Sequence, residues 1–493
     1  MKCVHRHMVR RRRASRPMTG PVRMAENLAA AGLASSVRPS VLATLEASLA
    51  SGQCTTDPDA LEAHAGDASS AVPVRPVAVV HARSVEDVQA TLVWASEHGV
   101  PVTPRGTGTG KAGGCIPQAG GVVLSLAGMA GITSVQPEHG FAEVEPGVVT
   151  GPFRDTMEQD FGLFYPPDPN SLDRCTLGGN VATNAGGPVA LKYGVTGRYV
   201  MGLTAVLANG TVIDTGRRQP KGVAGYDLRG LLVGSEGTLA VLVGLRLGLL
   251  PRPRAVISAL MPFASLDAAA RAVARSRQQG LLPRALELVD GVTLSRVRPH
   301  AAFPVDPSWG ALLLAEFDGE PGTPERDLER FVDGLEGAGP DQVRIAADSA
   351  ERTALWEMRR QMSKLVKIGT LGHISEDIAV PVGSIPTLVQ RLQRVAEQHR
   401  LIVATYGHAG DGNLHVNILW EELTGAERAE DAAEAVMREA LELGGTISGE
   451  HGIGLLKRRF LPLEQTSPVL SLQRALKSQW DPVGILNPGK IFA

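Results

Sequence analysis

A chain of 493 residues is longer than one hydrophobic core supports, so separate cofactor and substrate domains are expected. Its formal net charge is −2, yet the first 23 residues carry eight Lys or Arg and no acid, which leaves the remainder acidic and excludes nucleic acid as its partner. No run of about 18 consecutive apolar residues occurs, which excludes a membrane-spanning helix, and the four Cys show no CxxC spacing for an iron–sulfur cluster or a structural zinc.

Residues 1–35 read as a basic, disordered tail, or as sequence ahead of a later start at Met24. Arg10 to Arg13 stand in a row, but no apolar stretch of signal-peptide length follows. Residues 74–81 read as a buried strand and 84–98 as a helix, with Ser84 at its N-cap and Gly99 just past its end. Strands are predicted over 121–126 and 141–145. A hairpin is predicted over 203–214, with Asn209-Gly210 supplying two positive-φ positions. The run 238–249 is a further strand, and Pro251 and Pro253 then mark a domain boundary. Beyond it, a strand over 255–261, a helix over 266–279, a strand over 311–317 and a helix over 325–335 suit a split βαβ layer. More helices are predicted near 350–367, 386–399 and 425–443.

The Gly residues cluster rather than repeat, which suggests backbone lying against a ligand. The segment Pro104-Arg105-Gly106-Thr107-Gly108-Thr109-Gly110-Lys111-Ala112-Gly113-Gly114 is not a P-loop, because Arg105 and Ala112 stand where Gly and Ser/Thr are needed. Nor does it open a helix followed by an acid about 20 residues on, as a dinucleotide fingerprint should. Its amides can converge on a pyrophosphate; the competing reading is a flexible surface loop. A second segment runs from Pro166-Pro167-Asp168-Pro169-Asn170-Ser171 through residues 176–187 to Lys192-Tyr193-Gly194, and a third covers 234–239. Their Gly pairs alternate with Val181, Ala185, amides and hydroxyls, as in a buried loop that binds a flat polar ligand rather than a linker.

Taken in order, PRGTGTGKAGG, PPDPNS, TLGGNVATNAGG, KYG and GSEGTL, with Asn487-Pro488-Gly489-Lys490 near the other end, closely resemble the FAD-binding domain of the vanillyl-alcohol-oxidase-like, PCMH-type flavoproteins over about residues 70–250. The resemblance implies an α+β protein with a two-lobed FAD-binding domain over 36–254. A ferredoxin-like antiparallel-sheet substrate cap follows over 255–470, and a C-terminal segment, 471–493, returns to the FAD domain. It implies cofactor contacts from Arg105, Gly106, Thr107, Gly108, Thr109, Gly110, Gly113 and Gly114 at the pyrophosphate. Along the flavin it implies Pro167, Asp168, Thr176, Gly178, Gly179, Asn180, Thr183, Asn184, Gly186, Gly187, Tyr193 and Gly194, with Glu236, Gly237, Thr238, Asn487 and Lys490 completing the set. The usual His or Cys signatures for covalent attachment are not evident, so FAD is expected to be noncovalent, with Cys115 close to the phosphate loop.

Tyr406-Gly407-His408-Ala409-Gly410-Asp411-Gly412-Asn413-Leu414-His415-Val416-Asn417-Ile418 alternates like a strand, burying Leu414, Val416 and Ile418 and presenting His415 and Asn417. The glycines allow a reversal that brings His408 beside His415. Ser448-Gly449-Glu450-His451-Gly452-Ile453-Gly454 adds a carboxylate and a third imidazole. Two His and one Glu suit Zn²⁺ or Mn²⁺ with positions left open; a structural His pair satisfied by carbonyls is the competing reading. The two turns resemble those of the D-lactate, glycolate and D-2-hydroxyglutarate branch of the family. That resemblance implies His408, His415 and Glu450 as metal ligands, Asn417 as a substrate-side polar group and His451 as general base. It also implies Arg359, in Trp356-Glu357-Met358-Arg359, as the bidentate partner of the substrate carboxylate. Asp377 and Pro381 fit the branch, but Ser375 stands where the 2-hydroxyglutarate enzymes carry Lys, which places dicarboxylate specificity in doubt.

The expected reaction is FAD-dependent oxidation of a D-2-hydroxy acid of the lactate or glycolate type to the 2-oxo acid. Electrons would pass to an external acceptor: a quinone, a cytochrome or an electron-transfer flavoprotein. An oxidase using O₂ and a 2-hydroxyglutarate-type dehydrogenase are the rivals within the fold. Outside it, a zinc hydrolase and a non-catalytic flavin-binding subunit compete. A cytoplasmic protein, in solution or peripheral to the membrane, with a homodimer as candidate assembly, completes the expectation.

Overall fold

The computed structural model describes residues 37–219, 221–301, 303–335, 339–340 and 342–492. The basic tail expected over 1–35 lies outside them. Among the described residues no helix is long and apolar enough to cross a membrane.

Three sheets carry the fold. The first has strands β1 (Cys54–Thr55), β2 (Ala78–His81), β3 (Val102–Arg105) and β4 (Val122–Ser125) in the order β1-β2-β4-β3. Strands β2, β4 and β3 run parallel, and Val79, Val80, Val122, Val123 and Leu124 are fully buried, as a sheet covered on both faces requires. Helix α1 (Val85–His98) starts in a capping box between Ser84 and Asp87 and stops at Gly99, whose φ of 64° suits glycine. The second sheet is antiparallel, with β5 (Ile132–Gln136), β6 (Phe141–Val144), β8 (Val200–Val206), β9 (Val212–Gly216) and β10 (Val241–Gly248) in the order β5-β6-β10-β8-β9. The turn between β8 and β9 differs from expectation. Only Gly210 has positive φ, and Leu207 pairs with Thr211 around three residues. This is a type I turn closed by a left-handed glycine, the three-residue hairpin rather than the two-residue one. A short pair, β7 (Leu163–Phe164) and β11 (Leu250–Pro251), ties the two ends of this half together.

The third sheet has seven strands in the order β15-β12-β14-β13-β17-β18-β16. They are β12 (Ala255–Phe263), β13 (Ala285–Asp290), β14 (Ala311–Gly319), β15 (Arg344–Ile345), β16 (Gly372–Ala379), β17 (Ile402–Gly407) and β18 (Asn413–Trp420), and every pairing is antiparallel. The sheet is wider than a split βαβ layer because His-bearing β17 and β18 join it beside β13. Its two faces do different work. Leu286, Leu288, Leu313, Leu414, Val416 and Ile418 pack in one cluster with residues of the helices Leu266–Gln278, Ile385–His399 and Gly425–Glu442. Val289, Leu312, Leu314, Ala404, Tyr406 and Leu419 pack on the other face with Leu355, Met358 and Met362 of the helix Ser349–Leu365, labelled α2 here. By the period of two along a strand, Glu287 shares that second face with Val289, and His415 and Asn417 share it with Leu419.

Residues 36–493 form one compact unit. Within it the sheets segregate, strands β1 to β11 ending at Pro251 and β12 to β18 beginning at Ala255. The C-terminal stretch pairs with the first part: Leu486 bridges Val102, and Lys477 donates to the carbonyls of Thr238 and Leu486.

One buried ion pair fastens the turn that follows the third sheet. Asp377, on β16, is fully buried, and Lys457 donates to its carboxylate and to the carbonyls of Asp377 and Ile447. Lys457→Met strands that carboxylate without its cation, and such a loss typically costs about 3–5 kcal/mol. Urea unfolding of the variant is expected to show a lower midpoint with an unchanged slope.

Candidate active site

Two connected spaces lie beside the second face of the seven-stranded sheet. The larger, about 790 Å³, is lined by Gly106 to Gly110, by Thr176, Gly179, Asn180, Thr183 and Gly186, and by α2 residues including Arg360 and Lys364. A narrow extension of about 90 Å³ takes in Arg105, Gly114, Gly178, Glu236 and Gly237. The smaller cavity, about 240 Å³, is lined by Arg359, Tyr406, His408, His415, Asn417, Glu450 and His451. Glu450 and His451 face both spaces.

The glycines of the large cleft are required by close approach. A Cβ on Gly106 would sit 2.4 Å from Thr176 Oγ1, and one on Gly178 would sit 2.8 Å from the Pro146 carbonyl oxygen. The segment expected as a loop at 176–187 instead begins as a helix, Leu177–Thr183, capped by the Thr176 hydroxyl and ended by Asn184 in the left-handed region. Tertiary contact outweighs the poor helix propensity of its Gly pair, because only glycine lets this turn press onto Pro146.

Several expected cofactor residues are engaged with protein partners. The Glu236 carboxylate accepts from the amides of Ile453 and Gly454, and Asn487 Nδ2 donates to the carbonyls of Gly114 and Glu236. Lys490 donates to the Ile116 carbonyl, and Thr238 donates to Ser235. Gly113, at φ 80°, packs on Leu455. Asn184 accepts from the Gly197 amide. Pro167, Gly187 and Gly194 do not appear in the lining of the cleft. Asp168 lines the smaller cavity, where burial pushes its carboxyl up to about 6. Tyr193 turns to Asp318, to which its hydroxyl donates at 2.6 Å.

At the smaller cavity, one ligand atom each from His408, His415 and Glu450 lies within 4.8 Å of the others. Glu450 Oε1 is 3.5 Å from both His408 Nε2 and His415 Nε2. His408 Nδ1 donates to Glu287 Oε1 at 2.6 Å, which fixes the ring and leaves Nε2 facing the cluster. Burial disfavours a charged imidazole, but Glu287 and Glu450 outweigh it and hold His408 well above its ordinary value. At His415 burial wins and pushes the ring down to about 3. The donor set therefore fits a divalent cation: two imidazoles, one carboxylate and a local excess of negative charge that calls for a positive one.

Arg359 donates through Nε to Glu287 Oε2 at 2.5 Å and lies over the Tyr406 ring at 4.9 Å. Its buried Nη2 has no partner. An unpaired guanidinium donor on a residue that lines the cavity fits an anionic oxygen from a ligand. Asn417 is held by Ser375, whose hydroxyl donates to Asn417 Oδ1 at 2.8 Å, and its Nδ2 donates to Ala404 at 3.3 Å.

The Glu450–His451 turn winds around Asp377, whose Oδ2 accepts from the amides of Glu450 at 2.6 Å and His451 at 2.9 Å. The backbone here is a tight turn, also closed by Ser448 Oγ donating to the Gly452 carbonyl. His451 therefore does not point away from Glu450: its ring stacks on His415 at 5.5 Å, with Nδ1 3.4 Å from Asp377 Oδ1. The sequence reading missed Glu287 and Lys457. An acid in the middle of the apolar run 285–289 was the available signal for Glu287.

Glu376 lines the same cavity, 3.7 Å from Lys457, and burial pushes its carboxyl up to about 7. A carboxyl raised on folding stabilises the fold fully below its unfolded value, near pH 4, and that contribution is lost as pH rises through about 7. Glu376→Gln has no such dependence. Thermal melting of the two proteins is expected to favour the variant more at pH 8 than at pH 5; a constant difference would refute the assignment.

Two family models match the chain: a FAD-binding domain over residues 76–216 and the C-terminal domain of FAD-linked oxidases over 252–491. A glycolate oxidase subunit of Bacillus subtilis is 40% identical over 87% of this chain and 91% of its own. A D-lactate dehydrogenase of Anaerostipes hadrus is 35% identical over 85% and 90%. A D-2-hydroxyglutarate dehydrogenase of Stutzerimonas stutzeri is 31% identical over 92% and 99%. The solved structure of p-cresol methylhydroxylase with substrate bound shares the fold, with a TM-score of 0.76 at 18% identity over 92% of this chain and 96% of that one.

Proposed function

The chain belongs to the FAD-linked oxidase family, and from that premise we propose that it oxidises a D-2-hydroxy acid to the 2-oxo acid at the small cavity. The observation that carries this reading is the meeting of three metal-type ligands, an unpaired Arg359 edge and His451 at the junction with the glycine-lined cleft. The α+β fold and the FAD-linked oxidoreductase class follow from the family. Zinc hydrolysis loses its basis, because it leaves the FAD domain without a use.

FAD, when bound along the glycine-lined cleft, supplies the two-electron acceptor for the alcohol carbon. Cys115 is an unsuitable attachment point, since burial pushes its thiol up to about 11, and the FAD is held noncovalently. His408, His415 and Glu450 would hold a divalent ion, Zn²⁺ or Mn²⁺, which would supply Lewis acidity toward the substrate hydroxyl. Arg359 offers its free edge to the C1 carboxylate, a group common to glycolate, lactate and 2-hydroxyglutarate. Its Nε bond to Glu287, which also orients His408, couples the carboxylate grip to the ligand set. His451 takes the hydroxyl proton, and Asp377 beside its Nδ1 orients the ring and favours the charged form that results. Asn417 lines the same cavity, its amide fixed by Ser375. Electrons then leave to an external acceptor of the quinone, cytochrome or flavoprotein class.

Two variants separate base from ligand. His451→Ala is expected to keep both FAD and metal while flavin reduction by substrate slows about 10²–10⁴-fold, the usual worth of a positioned base. Glu450→Ala is expected to empty the metal site. Metal analysis and stopped-flow reduction of both proteins decide it; equal metal loss would make His451 a ligand. Arg359→Lys is expected to raise KM for every 2-hydroxy acid at least tenfold, since an ammonium cannot reproduce the planar grip. An unchanged KM would remove Arg359 from the substrate.

A further inference from the structure

Two lysines stand where the substrate cavity opens into the cleft. Lys367, just beyond α2, and Lys111, from the glycine-rich segment of the other half, line both spaces. Most cations around them are already answered. Arg360 donates to Glu357 at 2.9 Å, Arg359 to Glu287, and Arg284 lies 3.0 Å from Glu316. Among the described residues, neither lysine has an ion-pair partner of this kind. Lys367 is half-buried, and burial first, then the charge of Lys111, push its amine down to about 8. Lys111 is exposed at the junction of the two spaces. The carboxylate that favours its charge, Asp67, already accepts from the amides of Ser69 and Cys115 and is outweighed by Arg174 and Lys364.

Two cations that repel each other across one cavity cost free energy that a bound anion would recover. The anion's direction follows from α2. Arg359, Ser363 and Lys367 recur at intervals of four and all line the cavity, so they follow one stripe from the C1 carboxylate grip toward the mouth. Lys367, two residues past the end of α2, stands roughly two turns along from Arg359. Ser375 cannot serve this end, because its hydroxyl is committed to Asn417.

We propose that Lys111 and Lys367 form a second anion subsite, and that the preferred substrates are 2-hydroxy acids whose side chain ends in a carboxylate or phosphate. This rests on the 2-hydroxy acid reading and narrows its substrate class. The sequence argument from Ser375 against a dianionic substrate then fails, because the missing cation is supplied by other elements.

The test compares D-lactate, D-malate, D-2-hydroxyglutarate and 3-phospho-D-glycerate on the FAD-loaded protein, wild type against Lys367→Met, Lys367→Arg and Lys111→Met, with flavin content and FAD affinity measured alongside. The wild type is expected to show kcat/KM at least tenfold higher for at least one dianion than for lactate, and the better dianion tells carboxylate from phosphate. Lys367→Met should raise KM for that dianion at least tenfold and for lactate less than threefold, and Lys367→Arg should restore most of it. Lactate preferred by the wild type, or equal losses for lactate and dianion, would overturn the subsite. So would a Lys111→Met protein whose defect is lost FAD affinity, since the anion would then be a cofactor phosphate. Failure of all four acids to reduce the flavin would instead sink the functional reading itself.

Discussion

The buried carboxylate of Asp377 is the contact on which the site depends. It sits on an interior-facing position of β16, paired across the ladder with His415, and gathers the amides of Glu450 and His451, the Ser448 hydroxyl and the Lys457 ammonium around itself. An ionised carboxylate survives without water only when its lone pairs are filled, and here they are filled by the turn that carries the ligand and the base. Burial opposes its charge, but His451 and Lys457 hold its carboxyl down at about 2. The strand and the turn, more than 70 residues apart, are thereby fixed to each other by one charge.

A second chain of interactions runs through Glu287. It is fully buried, takes His408 on one oxygen and Arg359 on the other, and so links a metal-type ligand on the β17 side of the sheet to a guanidinium on α2. Each partner is left with one face unspent: Nε2 of His408 toward Glu450, and Nη2 of Arg359 without a partner. The network holds its members rigid while keeping those two functional edges free, as a preorganised site requires. The cost of burying so much charge is met elsewhere, by the all-antiparallel sheet and the wholly apolar cluster on its opposite face.

The division of the sheet into a packing face and a working face explains which parts were legible. The alternation Leu414, Val416 and Ile418 against His415 and Asn417 is local, with a period of two, and it appears in the structure as predicted, all three apolar residues fully buried. The capped helix at 85–98 was equally local. The hairpin at 207–211 was misjudged because Asn-Gly permits two turn types and the partner strands select between them. The helix at Leu177–Thr183 was read as a loop because its Gly178 answers to Pro146, a residue 32 positions earlier.

By itself the sequence determined the ordered glycine segments, the two His of the β17–β18 reversal, the Glu-His turn and hence the family, because each is a contiguous pattern whose chemistry travels with its residues. Only the tertiary structure decided that Asp377 anchors the turn, that Glu287 couples His408 to Arg359, and that Lys111 and Lys367 face one cavity from opposite halves. Those relations join residues tens to hundreds of positions apart, and the energy that selects them, the desolvation of charge, exists only once the sheet has closed over the site and excluded water.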